Sequence, residues 1–141
     1  MTRRDALISV IEALHREIDA LKTNDVHALE RATGDKLAGM SSFLGIDEGR
    51  GVLEIGGTYY RPHLRGTGFN RRIKDMMLGR AFDCGFRRVE FRVDRRNLRS
   101  QSAMAKLGAV REGVMRADRI TWTGHVRDTV LFAILKHEWP V

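Results

Sequence analysis

The chain has 141 residues, 43% hydrophobic and 30% charged, with 14 glycines and 2 prolines; this excludes disordered and collagen-like classes, which are respectively less apolar and far richer in glycine and proline. A single cysteine, Cys84, excludes an internal disulfide and a cysteine-paired zinc site, and no apolar run reaches the ~18 residues of a membrane helix. The net charge is +7, and polar residues interrupt the opening MTRRDALISVIEALHRE too often for a signal peptide, so a single cytoplasmic domain over residues 1–141 is expected.

In chain order, Ala6, Leu7, Val10, Ile11, Leu14, Ile18 and Leu21 recur at three- and four-residue spacing. This predicts an amphipathic helix over 5–22, within an N-terminal helical segment 1–25. Residues 28–33 suit a strand or a helix. A strand is expected over 36–44, turn chemistry over 47–51, and a return strand over 52–60. A helix follows over 69–82, with Phe69, Ile73, Met76, Met77 and Ala81 on one face. Gly85 stands where a left-handed C-terminal cap belongs.

Residues 88–94 alternate, with Val89, Phe91 and Val93 facing one way and Arg88, Glu90 and Arg92 the other. That is the pattern of a half-buried strand. A short helix is expected over 99–107, stopped by Gly108. Strands over 110–116 and 126–135 join across Thr123 and Gly124, and Trp122 reads as packing within that hairpin. Trp139 reads as a tail anchor. The order predicts an α/β (α+β) fold with a mixed sheet flanked by helices.

The charge is unevenly spread. Residues 61–99 hold twelve Lys and Arg against Asp75, Asp83, Glu90 and Asp94, so this window exceeds the whole chain's surplus of +7. Such a window attracts a polyanion: a nucleotide cofactor, a nucleic acid or an acidic protein. Its aromatics, Phe69, Phe82, Phe86 and Phe91, fall mainly at core positions, which disfavours the base stacking of a nucleic-acid module.

Two strand-to-helix junctions carry the chemistry. The first is RPHLRGTGFN, residues 61–70. Gly66 and Gly68 permit a tight turn and close approach to a ligand. Free amides and the dipole at the start of the next helix favour an anion, and Arg65 and Arg71 add charge. The spacing is neither that of a Walker loop nor that of a dinucleotide fingerprint, and a plain connecting turn is the alternative. The second junction is DRRNLRSQSA, residues 94–103, where Asn97 or Ser100 suits a helix cap.

Taken together, LEIGGTYYRPHLRGTGFN, RRVEFRVDRRNLRSQSAMAKLGAVREGVMR and GHVRDTVLFAILKHEW resemble the GNAT superfamily of acyl-CoA-dependent N-acetyltransferases, specifically its ribosomal-protein-alanine branch. The likeness runs over a core of residues 28–139. It implies a mixed, mostly antiparallel sheet that binds acetyl-CoA as cosubstrate. It also implies that Tyr59, Tyr60 and Arg61 lie along the pantetheine arm, that Leu64, Arg65, Gly66, Thr67, Gly68, Phe69 and Asn70 hold the pyrophosphate, and that Asn97 and Ser100 lie near the cofactor arm and thioester. His63 stands where the superfamily's loop pattern has Arg or Gln.

The implied reaction is acetyl transfer to an amine, which must lose a proton before it attacks. Glu54, on the strand entering the loop, is the candidate base; the alternative is a glutamate paired with an arginine across the sheet. Many members of the superfamily use a tyrosine as acid for the departing thiolate; no tyrosine follows Tyr60 here, so the resemblance leaves that role to Ser100 or to solvent. The five histidines lack metal-ligand spacing, so no metal is expected. The acceptor is an amine: a peptide or protein N-terminus, a polyamine or a small-molecule amine. The competing class is a noncatalytic CoA-binding or RNA- and ribosome-associated module.

The family's usual first strand and one helix have no counterpart before residue 28, so the resemblance implies an N-terminally shortened member. The apolar stripe of helix 5–22 then lacks an obvious partner, and a homodimer is expected.

Overall fold

The computed structural model describes residues 39–60 and 62–140. Five strands form one sheet in the order β1-β2-β3-β5-β4. They are β1 (Gly39–Asp47), β2 (Val52–Tyr60), β3 (Arg88–Asp94), β4 (Val110–Ile120) and β5 (Val126–Leu135). Among the described residues two α-helices accompany them, α1 (Phe69–Asp83) and α2 (Leu98–Leu107). The predicted helix 5–22 and the segment 28–33 lie outside the described residues.

Local chemistry explains the connections. The link between β1 and β2 closes through Gly51 N–H to Asp47 O at 2.9 Å, and Asp47 Oδ1 accepts from Arg50 N–H at 3.0 Å. So short a link joins only antiparallel neighbours. β2 and β3 are parallel and register from Val52 opposite Arg88 to Glu54 opposite Glu90. β3 instead registers antiparallel to β5 along its whole length, from Arg88–Leu135 to Asp94–Thr129. The sheet is therefore mixed, and the fold is α+β.

The expected boundaries of β2, β3 and β5 match those observed, and Gly85 and Gly108 both have φ of 91° at helix ends. Three expectations are corrected. β1 continues to Asp47 instead of ending at Leu44. β4 continues to Ile120 instead of ending at Arg116, because an irregular stretch between Met115 and Arg119 absorbs the misfit. Within it Ala117 adopts φ 50°, and its amide donates to Asp128 Oδ1 at 2.8 Å. Trp122 does not pack within the hairpin; it is 97% exposed at the tip.

The described residues fall into two compact units, 39–42 with 57–85, and 43–56 with 86–140. The first buries Leu64, Ile73, Met77, Leu78, Ala81 and Phe82. The second buries alternate residues of β3 (Val89, Phe91 and Val93) along with Leu53, Ile55, Phe86, Val130, Phe132 and Ile134. Each large apolar side chain so buried stabilises the fold by roughly 1.5–3 kcal/mol. In this unit α2 touches β3 and β4.

Candidate functional site

In the first unit β2 runs directly into the glycine-containing loop. A 3-10 turn, Pro62–Leu64, buries Leu64. Two turn bonds then tighten the chain, Arg65 N–H to Pro62 O at 3.2 Å and Thr67 N–H to Leu64 O at 3.4 Å. Thr67 Oγ1 donates to Leu64 O at 2.5 Å and accepts from Phe69 N–H at 3.4 Å. The amides of Arg65, Thr67 and Phe69 are thus engaged by the loop itself. Those of Gly66, Gly68 and Asn70 have no acceptor among the described residues.

Gly66 and Gly68 have φ of 76° and 83°, and nothing lies within 4 Å of where a Cβ would sit on either. Gly68 is the N-cap of α1 and lends it no side-chain cap. The result is unpaired amides on open backbone at the positive end of a helix dipole, a combination suited to an anion. This cradle fits a pyrophosphate. Fewer of its amides are unpaired than the run from Leu64 to Phe69 suggested.

The flanking side chains are ordered by the chain itself. Arg65 Nε donates to Tyr60 O at 3.1 Å, and its guanidinium lies 5.7 Å over the half-exposed Tyr59 ring. Tyr60 is buried and meets Phe69 edge-on at 5.5 Å. Arg71 pairs with Asp75 at 3.1 Å, which offsets its charge. Arg61 lies outside the described residues.

The sequence reading missed Lys74. Counted there as part of the cationic window, it is 3% exposed. Its Nζ donates to Thr58 Oγ1 at 2.6 Å and to Ser41 Oγ at 2.9 Å, and no carboxylate among the described residues pairs with it. Burial lowers its pKa to about 8. A signal was present, since Lys74 lies four residues before buried Leu78 on a 3.6-residue period. Nearby in the same unit, Tyr60 OH is buried without a partner, and burial pushes its pKa up to about 12.

In the second unit Glu54 stands opposite Glu90. Arg92, two residues along β3 and on the same face, bridges both: its guanidinium lies 3.4 Å from Glu54 Oε2 and 3.3 Å from Glu90 Oε1. Arg88 extends the row to Glu90 at 2.8 Å and to Glu112 at 2.6 Å. Glu54 therefore does pair with an arginine across the sheet. Burial nevertheless raises its pKa, and the charges of Arg92 and Arg119 only oppose that effect. A half-buried carboxylate with raised proton affinity is chemically suited to accept a proton.

At the second junction Asn97 is the N-cap of α2, its Oδ1 accepting from Ser100 N–H at 3.1 Å. Ser100 is half-buried, and its hydroxyl has no partner among the described residues. The capping alternative thus accounts for Asn97.

The cationic window is less positive in three dimensions than in one. Arg92 spends charge on Glu54, Arg88 on Glu112 and Arg95 on Asp128, all carboxylates from outside the window. Phe82, Phe86 and Phe91 are buried, so they offer no stacking platform. Among the described residues no group of three or more His, Cys, Asp or Glu could hold a metal, and no helix is long and apolar enough to cross a membrane.

Residues 5–109 match the model of the acetyltransferase (GNAT) family. The likeness thus begins upstream of residue 28, where the motifs alone place its start. The chain belongs to the GNAT family. No curated protein matches it significantly.

A solved structure described as an acetyltransferase from T. thermophilus is 41% identical, with a TM-score of 0.71 over 76% of this chain and 57% of that one. A GCN5-related N-acetyltransferase from Brucella melitensis is 32% identical, with a TM-score of 0.72 over 78% of this chain and 49% of that one. A spermidine/spermine N-acetyltransferase from Vibrio cholerae, 20% identical with a TM-score of 0.66 over 74% of this chain and 62% of that one, shares the fold. The chain spans about half the length of the first two.

Proposed function

We propose that the protein is an N-acetyltransferase that moves an acetyl group from acetyl-CoA to an amine. The carrying observation is the loop after β2. The unpaired amides of Gly66, Gly68 and Asn70 meet open backbone there, beside the ordered fork of Arg65. These groups would hold the pyrophosphate, Leu64 anchoring the turn and Thr67 and Phe69 shaping it. The backbone of Tyr59, Tyr60 and Arg61 would follow the pantetheine arm.

In the reaction the amine nitrogen attacks the thioester carbonyl carbon, the carbon–sulfur bond breaks, and CoA departs as a thiolate that takes up a proton. Glu54 would accept the amine's proton, which its burial-raised proton affinity favours. Ser100, its hydroxyl uncommitted, would donate a hydrogen bond to the thiolate while solvent supplies the proton, with Asn97 ordering that first turn of α2. A protein N-terminus, as in the ribosomal-protein-alanine branch, is the acceptor proposed first, and a cytoplasmic location accompanies it.

Titration calorimetry with acetyl-CoA tests the reading, followed by a panel of peptide and small-molecule amines scored for CoA release. Binding is expected, and Arg65→Glu should weaken it by about 1–3 kcal/mol through loss of a charge-assisted contact. No binding at millimolar acetyl-CoA overturns the proposal.

We also propose a homodimer. Helix 5–22, the contact expected from the sequence, lies outside the described residues, as does any sign of N-terminal shortening. Support comes instead from the tip of β4 and β5, where Ile120, on an edge strand of the described sheet, is 72% exposed and Trp122, in the turn that follows, 97%. Light scattering decides it: a mass near 16.1 kDa refutes the dimer and twice that supports it.

A further inference from the structure

At the beginning of β2 the second unit holds an open cleft of about 680 Å³. Its floor is set by register. Val52 of β2 and Leu135 of β5 both stand opposite Arg88 of β3, so the two flanking strands present aliphatic side chains on either side of Arg88. Three separate connections then supply the rim: Arg50 from the turn before β2, Arg87 from the loop before β3, and Lys136 with His137 from the turn after β5.

Backbone bonds hold this rim in place. Arg87 N–H donates to Gly51 O and Lys136 N–H to Arg87 O, each at 2.9 Å. Arg87 Nε donates to Arg50 O at 2.7 Å. No aspartate or glutamate lines the cleft. Arg88 is committed to Glu90 and Glu112, and Arg50 has Asp47 only at 3.8 Å. Arg87 and Lys136 have no carboxylate partner among the described residues. Cations from distant parts of the chain thus converge around a floor whose one charge, Arg88, is already paired, with nothing in the lining to neutralise Arg87 and Lys136.

We infer that this cleft binds a small organic diphosphate, its phosphates on Arg87, Lys136 and Arg50 and its uncharged body on Val52 and Leu135. The volume falls within the roughly 300–1,000 Å³ of small-molecule sites. Guanidinium forks match phosphate oxygens in pairs, and a lysine adds a point charge. The absence of Phe, Tyr and Trp from the lining speaks against a single-stranded nucleic acid, which needs stacking platforms. The acetyl-CoA loop follows the other end of β2, so the inference stands independently of the acetyl-transfer reading.

The test is calorimetric titration of the full chain with ADP and with inorganic pyrophosphate, both under saturating CoA, together with amide chemical-shift mapping. ADP should bind, more tightly than pyrophosphate, and shift the amides of Arg87, Lys136 and His137. Lys136→Glu should weaken ADP by roughly ten- to a hundred-fold, the scale of a lost charge-assisted contact plus repulsion, and Lys136→Gln should weaken it less. Both variants should leave CoA affinity and the unfolding midpoint unchanged, which separates this outcome from failure of the acetyltransferase reading. The inference is overturned by no ADP binding at millimolar concentration, by equal affinity in Lys136→Glu, by shifts confined to residues 64–70, or by a single-stranded RNA that ADP does not displace from the cleft.

Discussion

Lys74 Nζ lies 2.6 Å from Thr58 Oγ1, joining the middle of α1 to the last turnward residues of β2 through a cation that is 3% exposed. Its other partner, Ser41, also hydrogen-bonds Thr58, at 2.9 Å. The hydroxyls remain paired with each other without the lysine. The ammonium, by contrast, has given up water for two neutral partners, and that desolvation is unfavourable.

A stability profile follows from this pair. In the fold Lys74 has a pKa of about 8, against 10.5 when solvated. Between these values the unfolded chain binds more protons, so stability rises with pH; below about 8 the penalty is complete and the slope vanishes. Tyr60 acts in the opposite sense above pH 10, because the fold keeps its proton up to about 12. Lys74→Met should flatten the rise and add about 1–3 kcal/mol at pH 7, read from urea unfolding across pH 7–10.5. A lower midpoint than the parent chain at pH 7 would refute this account.

Gly68→Ala should cost about 1–2 kcal/mol of stability, because an L-residue is strained at φ 83°. No atom lies within 4 Å of the new methyl, so the cost is conformational and not a clash. CoA affinity should fall as well, since the amide presentation changes with the backbone. Thermal unfolding and calorimetry on one sample check both effects.

Asn97→Ala removes the Oδ1 acceptor of the Ser100 amide and should cost about 1 kcal/mol through loss of the cap. Asn97→Ser or Asn97→Asp should restore most of it. If Asn97 also contacts the cofactor, CoA affinity will not recover with stability in these variants. Recovery of both together assigns it to capping alone.

Glu54→Gln keeps the shape of the side chain and removes the base. The value of kcat/KM should drop by about 10²–10⁴, the usual contribution of a general base. In the parent chain the acid limb of the pH profile should be shifted upward from that of a free glutamate, since burial raises the Glu54 pKa. Arg92→Met should move that limb higher still, because the Arg92 charge works against the shift. An acid limb unmoved by Arg92→Met would place the titrating group elsewhere.

Local pattern alone determined much of the chain. Alternation set β3 and its buried Val89, Phe91 and Val93, and the 3.6-residue period set the start of α1 at Phe69. Glycines marked the loop and the ends of both helices, since a positive φ is a property of one residue and its immediate neighbours. What only the tertiary structure decided is how the charges and amides are spent. Glu54 and Arg92 are 38 positions apart and meet through the parallel register of β2 and β3. Arg88 finds Glu112 on β4, and Lys74 loses its solvent to the packing of α1. Which loop amides stay free depends on the turns around buried Leu64. Burial and pairing are set by distances between segments far apart in sequence, and linear spacing carries no record of those distances.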